Sequence, residues 1–129
     1  ERYDSPRMFV HEGEIWLLAR RDIGGPYDQG LTDLEFEDQR RTYLLDYSSR
    51  PKRTALYRID RDSHQVIHVQ DLPSAGDTAF PSVVPLDAHR FLVANYSSPL
   101  DDPDRTWLAG QVSDDGTGIY LIEVSFEQE

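Results

Sequence analysis

Two apolar runs, Trp16-Leu17-Leu18-Ala19 and Phe91-Leu92-Val93-Ala94, stand 75 positions apart. Each follows a shorter apolar pair, Met8-Phe9 or Val83-Val84. The polar turns Glu12-Gly13 and Asp87-Ala88 separate pair from run, so each copy reads as strand, tight turn, strand. Pro6 and Pro81 fall on each other in the same ungapped match. A third strand follows in each copy: residues 54–60 match residues 117–123 at an offset of 63. The drop in offset places a length difference in the preceding connection, where repeat architectures accumulate insertions.

The first copy continues through the alternating segment Gln65 to Leu72, closed by Pro73-Ser74-Ala75-Gly76, which predicts a fourth strand. The second copy has no counterpart after Phe126, so its sheet is expected to be one strand short. Both four-residue runs are apolar at every position, whereas a strand with one wet face would alternate. Both faces of these strands therefore need cover. Sheets stacked as blades supply it, and two blades alone leave two faces bare.

The predicted fold is all-β and β-propeller-like: two consecutive antiparallel meander blades, the second without its outer strand. A β-sandwich in which the two units pack on each other is the alternative. The first unit takes residues 1–79, with a long insertion at 22–53, and the second takes residues 80–129. Further blades, from the same chain or from self-association, are the expected partners.

Within the insertion, Gly24-Gly25-Pro26 breaks the chain, and Asp33 to Leu45 suits a short helix with Asp33 as N-cap and Glu37 in its first turns. A rival register makes Tyr43 to Tyr47 a strand, because Tyr43-Leu44-Leu45-Asp46-Tyr47-Ser48-Ser49 resembles Leu92-Val93-Ala94-Asn95-Tyr96-Ser97-Ser98.

Composition narrows the partners. A formal net charge of −11 repels nucleic-acid phosphates and anionic lipid, and no apolar run approaches the roughly 20 residues of a membrane helix. No nucleic-acid or membrane partner is expected. There is no cysteine, so disulfides and thiolate metal sites are excluded and redox chemistry says nothing of compartment. The opening Glu1-Arg2-Tyr3-Asp4 lacks the pattern of a signal peptide. The histidines are His11, His64, His68 and His89, and none has metal-ligand spacing with a carboxylate. His64 and His68 are expected on one side of a strand, as surface groups. Neither a metal nor a cofactor is implied.

Candidate chemistry gathers at the ends of the predicted strands. Asp77 is the ionisable residue of the segment Leu72 to Ser82 that joins the units; it could act as acid, base or cation contact, or simply cap the turn at Gly76. Arg20 and Tyr96 end the second strand of their units, where Arg and Tyr together can clamp a carboxylate or merely bridge blades at the rim. Trp16 reads as core. Trp107, placed in a polar loop, could offer a platform to a sugar ring.

The stretch Arg2-Tyr3-Asp4-Ser5-Pro6-Arg7-Met8-Phe9-Val10, the turn at Gly13 and then Trp16 to Arg20 resemble the strand pair of sialidase-like glycoside hydrolase propellers. The stretch Gly76 to Ser82, continued by Asn95-Tyr96-Ser97-Ser98, is similar in the same way. The resemblance implies carbohydrate binding, and glycoside hydrolysis in a full-length protein. Its candidate residues are Asp77 for catalysis and Arg7, Arg20, Tyr96 and Trp107 for substrate. The Asp-box Ser-x-Asp-x-Gly-x-x-Trp is absent, the tyrosine nucleophile would fall near Phe80, and no arginine triad can be matched. The resemblance then implies a C-terminal part of such a propeller, or a relative without that chemistry. The competing function is a non-catalytic propeller serving as a protein-interaction scaffold.

Overall fold

A computed structural model describes residues 2–24 and 27–127. The chain is mostly antiparallel β. Strands β1 (Asp4–His11), β2 (Glu14–Asp22), β3 (Lys52–Asp60) and β4 (Gln65–Asp71) form one meander sheet in the order β1-β2-β3-β4. Strands β5 (Ala79–Pro85), β6 (Arg90–Ser97) and β7 (Gly118–Ser125) form a second, in the order β5-β6-β7. Helix α1 (Phe36–Ser48) interrupts the β2–β3 connection, and α2 (Trp107–Val112) interrupts the equivalent β6–β7 connection. No helix among the described residues is long and apolar enough to cross a membrane.

The repeat is present, with its register corrected. Asp4 pairs with Arg20 and Ala79 with Tyr96, and the ladder is irregular just after each: between Asp4 and Arg7, and between Ala79 and Ser82. The first strands therefore match at the expected offset of 75. The second strands match at 76, because the β1–β2 turn holds Glu12-Gly13 whereas the β5–β6 turn holds Asp87, Ala88 and His89 closed by Leu86 N donating to Arg90 O at 2.8 Å. Leu18 pairs with Leu56 and Ala94 with Leu121, so the third strands match at 65 rather than 63. That shift of two preserves which side chains face which way.

The first sheet's residues end at Asp71 and the second begins at Ala79, and the insertion proper lies between Asp22 and Lys52. The helix reading of the insertion holds, but α1 starts at Phe36 and its N-cap is Glu35, not Asp33, with no side-chain cap bond. Tyr43 to Tyr47 is thus helical and not a strand; the seven-residue likeness to β6 is local. Gly24 turns the chain with φ 92°, while Gly25 and Pro26 lie outside the described residues. His64 has φ 56° and precedes β4, so it is a turn residue and does not share a strand face with His68.

The two sheets pack face to face. Leu18 and Leu56 of the first sheet, Leu72 of the connection and Val93 of the second form one buried cluster, flanked by Phe9, Trp16, Val83, Ile122 and Val124. Each such buried aliphatic side chain contributes roughly 1.5–3 kcal/mol. The interface then turns polar toward Asp4 and Ala79. Thr54 of β3 meets Thr78 Oγ1 at 2.9 Å and Asn95 Oδ1 at 3.0 Å, and Asn95 Nδ2 donates back to Thr78 at 2.9 Å. These groups are fully buried and satisfy one another, as buried polar atoms must.

The outer faces are uneven. On the first sheet, Val10, Ile15, Ile59 and Val66 pair in a row across all four strands, with Val10 63% exposed. On the second, Val84, Leu121 and Ile119 are 53%, 68% and 72% exposed. Leu92 and Ala94 between them are only half-covered, which departs from the full cover expected for that run. Among the described residues β7 pairs on one side alone, with β6.

Candidate functional site

The polar end of the interface is built from the starts of β1 and β3 and the ends of β2 and α1. Register sets it: Arg20 pairs with Asp4 across β1–β2, and Asp22 pairs with Lys52 across β2–β3. The last turn of α1 adds Tyr47, the buried side chain of that helix. Its neighbours Phe36, Leu44 and Leu45 remain exposed, so α1 is held mainly through Tyr47.

Arg20 Nε donates to the Tyr47 hydroxyl at 2.7 Å, and that hydroxyl donates to Asp4 Oδ2 at 2.6 Å. Arg20 also reaches Asp4 directly at 3.3 Å. Burial raises the Asp4 carboxyl, but the Tyr47 hydroxyl and then the charges of Arg2 and Arg20 outweigh it and hold the group below its ordinary value. Burial, reinforced by the hydrogen bond to Asp4, pushes the Tyr47 phenol far upward. Tyr47 is therefore a neutral hydrogen-bonding post and not a phenolate nucleophile.

A second knot lies beside it. Arg50 forks onto Asp22, with Nη2 at 2.7 Å and Nε at 3.0 and 3.1 Å, and Lys52 Nζ lies 2.9 Å from Asp22 Oδ1. Lys52 is fully buried; it also donates to the carbonyls of Tyr47 and Arg50 and lies 4.1 Å from the Tyr47 ring centre. Burial lowers the Lys52 pKa, against the pull of Asp22. On the other flank, Arg2 lies 4.2 Å from the Tyr47 ring centre.

Above these groups opens a cleft of about 400 Å³, lined by Arg2, Asp22, Tyr27, Asp28, Tyr43, Tyr47 and Arg50. Tyr27 donates to the Asp22 carbonyl at 2.7 Å, and Tyr43 donates to Asp28 at 3.2 Å while accepting from Gln29 N at 3.0 Å. Two guanidinium groups and three phenol rings thus face one concavity. Such a set can stack a flat or ring-shaped ligand and clamp an anionic group on it.

The candidate residues separate into two groups. Asp77 accepts from the Tyr96 hydroxyl at 3.1 Å, its backbone is pinned by Ser98, and burial followed by the charge of Asp77 raises the Tyr96 phenol. Trp107 is not in a loop: it opens α2, half-buried, edge-on to Tyr47 at 5.6 Å with Arg20 5.0 Å from its ring centre. Thr106 caps α2 by accepting from Ala109 N, and Trp107 N donates to the Arg50 carbonyl, so the two insertions meet. Asp77, Arg20, Tyr96 and Trp107 therefore gather at one end of the interface. Arg7 does not; it is exposed on β1 opposite Leu18, beyond the irregularity in that strand.

Arg20 is 9% exposed and already committed to Tyr47 and Asp4, so it supports the site from beneath and does not face the cleft. Sequence reasoning missed Tyr47, Asp4, Asp22, Lys52, Arg50, Tyr27 and Tyr43. The available signal was Asp22 and Lys52, oppositely charged groups at the facing ends of β2 and β3. Comparison with protein-family models, with curated proteins and with solved structures gave no match.

Proposed function

We propose that this chain forms two neighbouring blades of a sialidase-like β-propeller whose cleft binds a carbohydrate bearing an acidic group. The observation that carries the binding reading is the cleft itself. Phenol rings of Tyr27 and Tyr43 offer faces to a sugar ring above the buried Tyr47, and Arg2 and Arg50 supply cations in a chain whose net charge is −11. Of the two cleft arginines, Arg2, with a side chain 55% exposed against 18% for Arg50, is the freer to turn toward a ligand.

Three features support the blade reading. The same strand irregularity recurs 75 residues apart, the first strands β1 and β5 make the most extensive contact between the sheets, and apolar side chains stand uncovered on both outer faces. Further blades would cover those faces and pair the free edge of β7. As for cleavage, most glycosidases use two available carboxylates and sialidases a tyrosine nucleophile; burial and the hydrogen bond to Asp4 push the Tyr47 phenol upward, away from phenolate. Asp4 and Asp22 are each committed to cations, and Asp77 carries Tyr96. Binding is the function these residues support by themselves.

The test is a titration of ¹⁵N-labelled protein with neutral and carboxylated monosaccharides. The acidic sugar is expected to shift amides around Arg2, Tyr27 and Tyr43, and Arg2→Ala is expected to weaken it about tenfold, the worth of one charge-assisted contact. No shifts at millimolar sugar, or equal shifts with the neutral sugar and in Arg2→Ala, would remove the proposal.

A further inference from the structure

At the opposite end of the interface from the cleft, the two equivalent hairpin turns touch. His11 closes β1, and His89 lies in the β5–β6 turn, 78 residues along the chain. His11 Nε2 and His89 Nδ1 stand 3.0 Å apart, and Glu12 Oε1 lies 3.7 Å from the same His89 nitrogen. The ligand atoms of the three side chains all fall within 4.8 Å of one another.

We infer that His11, Glu12 and His89 form a binding site for a divalent zinc-class cation that clips the two sheets together. The donor set is two imidazoles and one carboxylate, which suits such an ion and leaves a position for water. Two nitrogens bound to one tetrahedral zinc at ordinary bond lengths stand roughly 3.3 Å apart. The observed 3.0 Å therefore needs only a few tenths of an ångström of opening. The two ring nitrogens face each other across the place a cation would take.

The surroundings hold the ligands still. The His11 ring is 8% exposed, stacks on Phe126 at 4.1 Å and 16°, and meets Phe91 edge-on at 6.0 Å. The backbone of His89 is fixed on both sides: its N–H donates to Asp87 Oδ1 at 2.9 Å, and its carbonyl accepts from Phe126 N at 2.9 Å. Glu12 sits in the left-handed region at φ 50°, followed by Gly13 at φ 79°, a tight turn that keeps the carboxylate beside its neighbouring histidine. Immobilised donors lower the ordering cost of binding. Because the ligands come from two sheets, binding stabilises their docking and not either sheet alone.

The test titrates Zn²⁺ into metal-stripped protein by calorimetry and follows the thermal midpoint. One ion per chain and a raised midpoint are expected. Glu12→Gln, at a turn position 68% exposed in its side chain, leaves the fold intact and is expected to weaken binding about tenfold; His89→Ala is expected to abolish it. His64→Ala with His68→Ala should change nothing. Absence of one-to-one binding at about 100 µM Zn²⁺, binding unchanged in both Glu12→Gln and His89→Ala, or binding lost in the His64/His68 variant would each overturn the assignment.

Discussion

Ser5 and Phe80, 75 residues apart, adopt the same left-handed backbone conformation, each with φ 51°, one residue inside the first strand of its sheet. Each sits where its ladder loses register, after Asp4 in one sheet and after Ala79 in the other. A bulky residue in that region is costly, by roughly 1–2 kcal/mol, and bulges are kept where they redirect a strand. In the first sheet the bulge lets Asp4 pair with Arg20 and reach Tyr47.

The strain at Phe80 gives a direct prediction. Its side chain is 71% exposed, so little packing is lost on truncation. Phe80→Gly should be more stable than Phe80→Ala by about 1 kcal/mol in urea unfolding, because glycine occupies this region freely. Equal stabilities would show that the backbone does not hold this conformation.

Tyr47→Phe removes the hydroxyl shared by Arg20 and Asp4 and leaves their buried polar atoms short of a partner. A loss of about 1–3 kcal/mol is expected in denaturant unfolding. The ring stays, so its contacts with Lys52 and Trp107 persist and α1 should keep its place.

Gly110 of α2 packs against the candidate acid. A Cβ there would meet Asp77 N at 2.4 Å and Ser98 Oγ at 2.6 Å. Backbone cannot move aside as a flexible side chain can, so Gly110→Ala should cost about 1–3 kcal/mol and shift the Asp77 and Tyr96 resonances. A neutral substitution would mean that α2 is not docked on this segment.

Acid should weaken the arginine end of the fold. Asp71 is held below its ordinary value: burial raises it, but the Arg21 fork at 2.7 and 2.8 Å and the His68 contact outweigh that. Asp4 is shifted the same way. A depressed folded-state pKa stabilises above the unfolded value, here 3.8, and that stability is lost as pH falls from there through the folded value. Stability measured from pH 7 down to 2 should therefore drop more steeply below about 4 in the wild type than in Asp4→Asn/Asp71→Asn.

The strands and their pairing into two like units were legible because turns and alternation mark them. The register was less so: Trp16 to Ala19 and Phe91 to Ala94 are apolar throughout, and a run without alternation carries no record of which side faces where. Hence the ungapped match put Leu17 on Leu92, while pairing puts Leu17 on Val93. Asp77, Tyr96, Arg20 and Trp107 were singled out because strand ends and connections are where such sheets carry chemistry, but none of the four lines the cleft. Tyr47 was not singled out, since it sits 27 residues after Arg20 on a helix within the insertion, and no local pattern encodes that meeting. Sequence spacing likewise gave no metal-ligand pattern for His11 and His89, which stand 78 residues apart and meet only across the two sheets.

The outer faces test the central claim. Sedimentation velocity across a wide range of protein concentration should show reversible association above the 14.9 kDa monomer, and Ile119→Lys/Leu121→Lys should return the chain to monomer with its strands intact. A wild-type chain that stays a soluble 14.9 kDa species at every concentration would contradict the need for neighbouring blades.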